Sequence, residues 1–358
     1  MDSAPVEWRL RVDDPRRKID HGAYAEPSEH RMTQHLLASG AGSIDRAADI
    51  LRAGGLVAFP TETVYGLGAD GLSETAVTRI FRAKARPADN PLILHVAAPE
   101  AALELWRAGS EELSLARQLM AAFWPGPLSL VLPKAAAVPA VVAGGLDTVA
   151  VRMPDLELAR TLIGRAGRPL AAPSANRAGR PSPTTAAHVL RTLGGRIDAV
   201  LDGGSTQLGL ESTVVDLCGG VPRVLREGSI SGAVLAERTG IPLAPSTAQD
   251  QVRSPGTRYR HYAPADLATR LATPAELASA WHQPLAILCR AATAQPLGER
   301  VAALEALPDD PAGFARELYA ALYRLEDSGC TALLIERLPE EPAWQAARDR
   351  TRRAAGAA

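Results

Sequence analysis

Short apolar runs alternate with amphipathic helical segments between about residue 44 and residue 240. The run LVAFP at 56–60 follows a helical segment that ends in glycines, and PLILHV at 91–96 follows another that Ser73 can cap. The alternation continues through LSLVLP, TVAVRMP, DAVLDGG and STVVDL. Because helices placed between strands cover the faces of a sheet, the pattern predicts an α/β fold with a mostly covered, mixed sheet.

The chain of 358 residues is longer than one hydrophobic core usually supports, so we expect two domains. Residues 1–43 are polar with little periodicity and predict a poorly structured N-terminal extension, in which Met32 is an alternative start site. Residues 44–241 are the first α/β domain. Proline and polar residues predict a linker over 242–265, and renewed alternation predicts a small C-terminal α/β domain over 266–358.

Charge and cysteine usage restrict the function classes. A net charge of -1 and a pI of about 6.7 provide no global basic field for nucleic acid. Cys218, Cys289 and Cys330 are far apart, which argues against a zinc ribbon or a disulfide framework and favours a reducing compartment. No apolar run approaches the roughly 20 residues of a membrane span, so we expect a cytoplasmic protein without a membrane partner.

The segment Gly66–Gly71 matches the pattern G-x-G-x-x-G of dinucleotide-binding proteins. The context does not fit, because the acid about 20 residues on, Asp89, precedes a predicted strand instead of ending one. The residues TETVYG also stand between the strand LVAFP and the second glycine, where a tight turn is expected. We therefore interpret these glycines as a closely packed turn or as positions where a ligand approaches the backbone.

Four polar loops adjoin the ends of predicted strands: PTETVYGLG, KARPADNP, PSANRAGRPSP and LGLEST. In open α/β sheets, ligands bind where strands end in loops. These loops and strand ends are rich in hydroxyl groups and carry the cations Lys84, Arg86, Arg152 and Arg226. The combination predicts a pocket for an anion with several oxygens, and it shows no obvious nucleophile–base pair. Such chemistry would depend on positioning and charge stabilisation, as in nucleotidyl transfer.

Each of these residues also has a simpler structural interpretation. Arg152 could be an exposed strand-end arginine, His95 a structural histidine, and Lys84 a cation facing a helix dipole. Ser174 and Asn176 could merely build a turn. Their joint appearance in similar loops is what favours a binding site.

Six motifs in order carry a resemblance to a known family: FPTETVYGLGADG, KARPADNPLILHV, FWPGPLSLVLPK, VAVRMP, PSANRAGRPSPT and LESTVVDL. Over residues 44 to 240 the chain resembles the YrdC-type threonylcarbamoyl-AMP synthases. The linker SPGTRYRHYAP and the last domain resemble the longer, two-domain branch of that family. Ala85, Ala178 and Thr257 depart from residues common in relatives, with alanine at 85 in place of glycine.

The resemblance implies that L-threonine, bicarbonate or carbon dioxide, and ATP are joined to threonylcarbamoyl-AMP and pyrophosphate. A tRNA threonylcarbamoyl transferase complex would then modify the adenosine beside the anticodon. The implied fold is a large, twisted, mixed sheet of YrdC type with a concave basic face, followed by a small Rossmann-like α/β domain. The linker would fold back over that face.

The resemblance also assigns site residues by motif. Lys84, Arg86 and Arg152 would be the catalytic cations. L-Threonine would be bound by Thr63, His95, Arg152, Ala172 and Ser212. ATP would be bound by Lys84, Arg86, Asn90, Thr148, Ser174, Asn176, Ser182, Arg226 and Tyr262. Mg²⁺ would accompany the ATP phosphates, with no protein ligand and no general base identified.

Other functions remain open at this point. The sheet could be a non-catalytic module that binds double-stranded RNA or tRNA, although the pI does not favour it. A carbamoyl-transfer module of the kind found in hydrogenase maturation proteins is a further alternative. The last helix, which contains RDRTRR, could make a weak tRNA contact, but we expect it to present a solvated face.

Overall fold

The computed structural model describes residues 32–107, 109–245, 247, 262–279, 285–295, 297 and 301–356. The described chain forms two sheets, one of eleven strands and one of four, which confirms the predicted α/β class. The strands of the large sheet are β1 Gln34–Leu37, β2 Val57–Pro60, β3 Tyr65–Asp70, β4 Ile93–His95, β5 Leu128–Pro133, β6 Thr148–Arg152, β7 Leu170–Ala171, β8 Ala199–Asp202, β9 Thr213–Asp216, β10 Arg223–Arg226 and β11 Ala244–Pro245.

Seven helices lie between these strands in the described chain. They are α1 Ser43–Arg52, α2 Glu74–Lys84, α3 Pro99–Leu103, α4 Ser110–Phe123, α5 Glu157–Ala166, α6 Ala186–Leu193 and α7 Gly232–Thr239. Helices α1 and α5 pack together in one hydrophobic cluster with residues of β2 and β8, while α2, α4, α6 and α7 contribute to the larger cluster. The helices therefore cover both sides of much of the sheet, as the alternation predicted.

The large sheet is mixed, with the order β1-β8-β2-β3-β7-β4-β6-β5-β9-β10-β11. Its strands run parallel in the pairs β1–β8, β2–β8, β4–β6, β5–β9 and β10–β11. They run antiparallel in β2–β3, β3–β7, β4–β7, β5–β6 and β9–β10. The β4–β6 register places His95 opposite Arg152. Two polar residues far apart in sequence thus become neighbours at the ends of adjacent strands.

The C-terminal unit, residues 268–356, contains a wholly parallel sheet of order β12-β15-β13-β14, as expected for a Rossmann-like domain. Its strands are β12 Ala268–Ala272, β13 Leu285–Arg290, β14 Ala303–Leu307 and β15 Ala332–Glu336. Its helices are α8 Pro274–Ala278, α9 Ala291–Ala294, α10 Pro311–Glu326 and α11 Gln345–Ala354. Phe314, Leu318 and Leu322 of α10 are buried in its core.

Two segments differ from the sequence-based expectations. The end of the predicted N-terminal extension forms β1, which pairs with β8 at the edge of the sheet, while residues 1–31 lie outside the described chain. The glycine segment Gly66–Gly71 is not a turn, because residues 65–70 form strand β3, which lies inside the sheet between β2 and β7. A Cβ at Gly68 would lie 2.8 Å from the Phe59 ring, and one at Gly71 would lie 2.5 Å from Leu94. The glycines allow close packing against β2 and β4, which a turn motif does not reveal.

The C-terminal unit packs directly on the large-sheet unit. The Tyr323 hydroxyl donates to the Pro181 carbonyl at 2.8 Å, and the Arg180 guanidinium lies 2.7 Å from the buried Glu326 carboxylate. A Cβ at Gly209, where φ is 75°, would lie 2.5 Å from Cα of Arg316. Most of the predicted linker, residues 246 and 248–261, lies outside the described chain. None of the described helices is long and apolar enough to cross a membrane.

Candidate active site

A cavity of about 60 Å³ lies where several strand ends and loops of the large sheet meet. Nine residues predicted for substrate binding line it: Thr63, Arg86, His95, Arg152, Ala172, Ser174, Ser212, Arg226 and Tyr262. The polar side chains in this group are nearly all buried, so they are kept from bulk water. The structure therefore brings together loops that are separated by more than 190 residues in the sequence.

Arg152, at the end of β6, forms the cationic wall of the cavity. Its Nε donates to the Gly126 carbonyl at 3.1 Å and its Nη1 donates to the Thr63 hydroxyl at 2.9 Å. Its Nη2 lies 2.6 Å from the buried carboxylate of Glu62. A guanidinium has five N–H donors, so these three contacts fix its plane and leave donors for a ligand carboxylate.

The Thr63 hydroxyl has a defined orientation. Thr61 donates its hydroxyl proton to the Val64 carbonyl at 2.7 Å, so the 2.7 Å contact between the two threonine hydroxyls requires Thr63 to be the donor. Thr63 already accepts from Arg152. One lone pair of its oxygen remains, and Thr63 therefore presents an acceptor to a ligand ammonium or hydroxyl group.

His95 faces Arg152 across the β4–β6 ladder, and its Nδ1 lies 3.3 Å from the Ile93 carbonyl. Burial, and then the neighbouring Arg152 charge, lower the pKa of His95 to about 3. The imidazole is therefore neutral at pH 7. It can donate a hydrogen bond to a ligand or accept one from it, and it adds no second positive charge beside Arg152.

Ser212 lies at the start of β9 and is held from two sides. Its hydroxyl is 2.8 Å from that of Ser129. Arg226 of β10 donates from Nε and Nη2 to the Ser212 carbonyl at 3.1 and 3.0 Å, and from Nη2 to the Ser212 hydroxyl at 3.2 Å. The Arg226 side chain thus fixes the Ser212 backbone and its hydroxyl while it lines the cavity itself.

Lys84 and the loop 174–176 form one structural unit. The Lys84 ammonium donates to the Ser174 carbonyl at 2.5 Å and to the Asn176 carbonyl. Burial, and then Arg86, hold the pKa of Lys84 well below its usual range. Lys84 does not line the cavity; it holds the loop that places Ser174 there.

Arg86 lines the cavity from the turn that follows α2. Its Nη2 donates to the Asn90 side-chain oxygen at 2.6 Å and to the Pro91 carbonyl at 3.0 Å. The turn between Pro87 and Pro91 therefore orients the guanidinium, and Asn90 acts on the cavity through it.

Five of the predicted residues lie outside the lining: Lys84, Asn90, Thr148, Asn176 and Ser182. Ser182 is one contact away, because its hydroxyl donates to Glu211, a lining residue, at 2.5 Å. Asn176 donates to the carbonyls of Arg177 and Arg180 and shapes its loop. Thr148 begins β6 four residues before Arg152, about 13 Å away along the strand. Their substrate roles remain predictions.

The sequence reasoning missed two acids and two residues of the C-terminal unit. Glu62 pairs with Arg152, and Glu211 lines the cavity although an anion pocket gave no reason to expect an acid. Arg350 of α11 is fully buried, with its Nε 2.9 Å from Glu211. The expectation of a solvated α11 face is therefore wrong at this position. Tyr319 of α10 donates to the same carboxylate at 3.1 Å. In the sequence, the one indication of an acid at the pocket was Glu211, which precedes Ser212 in the motif LGLEST.

The arrangement combines three arginines, a neutral histidine and several oriented hydroxyls in one cavity. This set can neutralise carboxylate or phosphate oxygens and stabilise charge that develops as a phosphate bond breaks. Among the described residues, no three His, Cys, Asp or Glu side chains come together to hold a metal ion.

Two family models match the chain. One, described as "Telomere recombination", matches residues 49–228, and the other, described as "Threonylcarbamoyl-AMP synthase, C-terminal domain", matches residues 224–356. Together they span residues 49–356, which include every strand of the large sheet except β1 and all described elements of the C-terminal unit.

Curated relatives and solved structures agree with these models. The threonylcarbamoyl-AMP synthase of Pyrococcus abyssi is 43% identical over 87% of this chain and 93% of its own length. That of Bacillus subtilis is 47% identical over 62% of this chain and 64% of its own length. A crystal structure of P. abyssi Sua5 complexed with L-threonine superposes with a TM-score of 0.82, at 39% identity, and covers 91% of this chain and 98% of that one. The chain therefore belongs to the threonylcarbamoyl-AMP synthase family, in its long form with a C-terminal domain.

Proposed function

We propose that this protein is an L-threonylcarbamoyladenylate synthase. It would convert L-threonine, bicarbonate or carbon dioxide, and ATP into threonylcarbamoyl-AMP and pyrophosphate. The observation that carries the proposal is the buried Arg152, whose guanidinium is held by Gly126 and Thr63 and still has donors for a carboxylate. The family membership and the L-threonine bound to P. abyssi Sua5 support the choice of amino acid.

The threonine end of the site would be the pocket formed by Thr63, His95, Arg152, Ala172 and Ser212. Arg152 would pair with the carboxylate, since its planar fork matches the two carboxylate oxygens. Thr63 offers an acceptor for the amine or the side-chain hydroxyl. The neutral His95 can accept or donate a hydrogen bond at pH 7 and adds no charge that would repel an ammonium group.

The ATP end would lie beside Arg86, Ser174, Arg226 and Tyr262. Lys84, Asn90, Asn176 and Ser182 would support these residues through the contacts described above. Mg²⁺ usually enters such sites on substrate phosphates with few protein ligands. When bound, it would neutralise charge on the phosphates.

The reaction would proceed by positioning and charge stabilisation. The threonine amine, as its free base, bonds to carbon dioxide and loses a proton, giving a carbamate. A carbamate oxygen then bonds to the α-phosphorus of ATP, the bond from that phosphorus to the bridging oxygen breaks, and pyrophosphate leaves with the electron pair. Arg86 and Arg226 are placed to stabilise the charge that develops on the phosphate oxygens.

The test is incubation of the full chain with ATP, L-threonine and bicarbonate, followed by measurement of pyrophosphate and of threonylcarbamoyl-AMP by mass spectrometry. We expect pyrophosphate release that depends on both L-threonine and bicarbonate. L-Serine and L-valine at equal concentration serve as matched controls, because each keeps the carboxylate and amine but changes the side chain. Pyrophosphate that appears without threonine would contradict the proposal.

The product would pass to a tRNA threonylcarbamoyl transferase complex, since an acyl adenylate is a reactive intermediate that needs an acceptor. The same preparation distinguishes this function from a non-catalytic double-stranded RNA or tRNA module. A synthase should be stabilised by ATP according to RT ln(1 + [L]/Kd). An RNA module would show no ATP-dependent shift and a steep decrease of RNA affinity with salt.

A further inference from the structure

The wall of the substrate cavity depends on the C-terminal unit through Glu211. This glutamate lines the cavity and is almost completely buried. Its Oε1 accepts from Ser182 at 2.5 Å, and its Oε2 accepts from the Arg350 Nε at 2.9 Å. The Tyr319 hydroxyl lies 3.1 Å from Oε2 and 3.2 Å from Oε1. Two of its three hydrogen-bond partners therefore come from α10 and α11.

A buried carboxylate needs such partners. Burial alone would raise the pKa of Glu211, but the charges of Arg350 and then Arg226 lower it to about 2. Without Arg350, the Glu211 carboxylate would keep Ser182 and Tyr319 as hydrogen-bond donors but would lose its ion-pair partner in a buried position. The contact that orients the Ser182 hydroxyl would then be weakened.

Arg350 also reaches Tyr262, a residue near the end of the predicted linker. Its guanidinium carbon lies 5.6 Å from the centre of the Tyr262 ring, and the Tyr319 ring centre lies 5.3 Å from the same ring. Tyr262 lines the cavity and has a φ of 65°, a backbone conformation that a bulky residue rarely adopts. Such a conformation persists only where surrounding contacts hold it, and Arg350 and Tyr319 supply contacts of that kind.

We propose that Arg350 and Tyr319 are positioning residues of the ATP side of the cavity, acting through Glu211 and Tyr262. The inference rests on the proposed function, because Ser182, Arg226 and Tyr262 are the ATP residues in that scheme. The C-terminal unit then completes the catalytic cavity. A second contact fixes Arg350 in this place, since its Nη2 donates to the Glu227 carbonyl at 3.0 Å.

The test compares steady-state kinetics of the full chain and the variants Arg350→Met, Glu211→Gln, Tyr319→Phe and the double variant Glu211→Gln/Arg350→Met. We expect Arg350→Met to raise KM for ATP at least tenfold, with a smaller change in KM for L-threonine. Tyr319→Phe should raise KM for ATP about three-fold, because one of three donors to Glu211 is lost. The double variant should resemble Glu211→Gln alone, since the amide leaves no unpaired charge.

Arg290→Met is the matched control for stability. Arg290 makes an ion pair of the same kind, 2.7 Å from the fully buried Glu336, inside the C-terminal unit and away from the cavity. This variant should lower Tm and leave both KM values within two-fold of the unsubstituted chain. The proposal is overturned if Arg350→Met and Tyr319→Phe lower Tm but leave KM for ATP unchanged.

Two outcomes separate this inference from the proposed function. If the unsubstituted chain forms no threonylcarbamoyl-AMP, the proposed function fails. If it is active and the variants keep its KM for ATP, only the positioning role fails. Should Arg350→Met not fold, Tyr319→Phe and Glu211→Gln decide the question, because each removes only a hydroxyl or a charge.

Discussion

Replacement of Lys84 tests the link between the buried ammonium and the cavity. Lys84→Met keeps most of the side-chain volume but removes the donor to the Ser174 and Asn176 carbonyls. Each of the two buried carbonyls left without a donor destabilises the fold by about 1–3 kcal/mol. This loss is partly offset, because the variant no longer has to bury a lysine amino group. We therefore expect a net loss of about 2 kcal/mol in the free energy of unfolding.

Lys84→Ala adds a second cost. It deletes three buried methylene groups at about 0.8 kcal/mol each and leaves a cavity, so this variant should lose at least 2 kcal/mol more than Lys84→Met. For a unit of about 200 residues, the Tm of Lys84→Met should fall by about 4–8 °C.

The assay combines thermal unfolding with L-threonine-dependent pyrophosphate release. Because the Ser174 loop lines the cavity, kcat/KM for ATP should fall at least tenfold in Lys84→Met at a temperature where the variant is folded. Lys134→Met is the control, since Lys134 donates to one carbonyl, that of Val138, and does not line the cavity. Equal Tm and equal activity of the two methionine variants would refute the reasoning.

Three further predictions concern single residues. Arg152→Lys should lower kcat/KM for L-threonine by about 30- to 150-fold in the pyrophosphate assay, because one ammonium cannot keep the present contacts and also bind a carboxylate in two places; wild-type values would contradict this. His95 has a folded-state pKa of about 3, below 6.5 in the unfolded chain, so the folded state binds fewer protons between these values and stability falls as pH decreases. In urea unfolding, the free energy of unfolding of the unsubstituted chain should fall by about 2 kcal/mol between pH 6.5 and pH 5, and that of His95→Gln should not show this fall. Parallel pH profiles of the two proteins would argue against the role of His95. Ala85, with φ 50° at the end of α2, occupies a conformation that glycine tolerates better, so Ala85→Gly should raise Tm by about 2–4 °C; a lower Tm would contradict this.

The periodicity of the sequence was sufficient to predict most helices and the longer strands. Ser73 caps α2 as expected, and Thr185 caps α6; both side chains accept backbone hydrogen bonds. These features are local, because a cap and an amphipathic helix depend on residues within one or two turns. Strand β3 was missed because its glycines follow a turn-like pattern, while only the tertiary packing of Phe59 and Leu94 explains them.

The sequence predicts those parts of the candidate site in which a single motif supplies the residues on one side of the cavity. Thr63, in the loop between β2 and β3, lines the same cavity as His95 and Arg152, which end the neighbouring strands β4 and β6. The contribution of Arg350 could not be predicted, since an arginine-rich helix usually presents its charges to water. Only the packing of α11 against Glu211 shows which arginine is buried.

The alignment of His95 with Arg152 has a consequence for the order in which the molecule assembles. The two residues are 57 positions apart, and they become neighbours only when β4 and β6 pair in one register. Contacts between such distant segments require closure of a long loop, so they form late compared with helices. A one-residue shift of either strand would turn its polar side chain to the opposite face of the sheet. Binding of L-threonine during refolding would therefore indicate that β4 and β6 have paired in the native register. Helix content alone cannot distinguish the native from a shifted pairing.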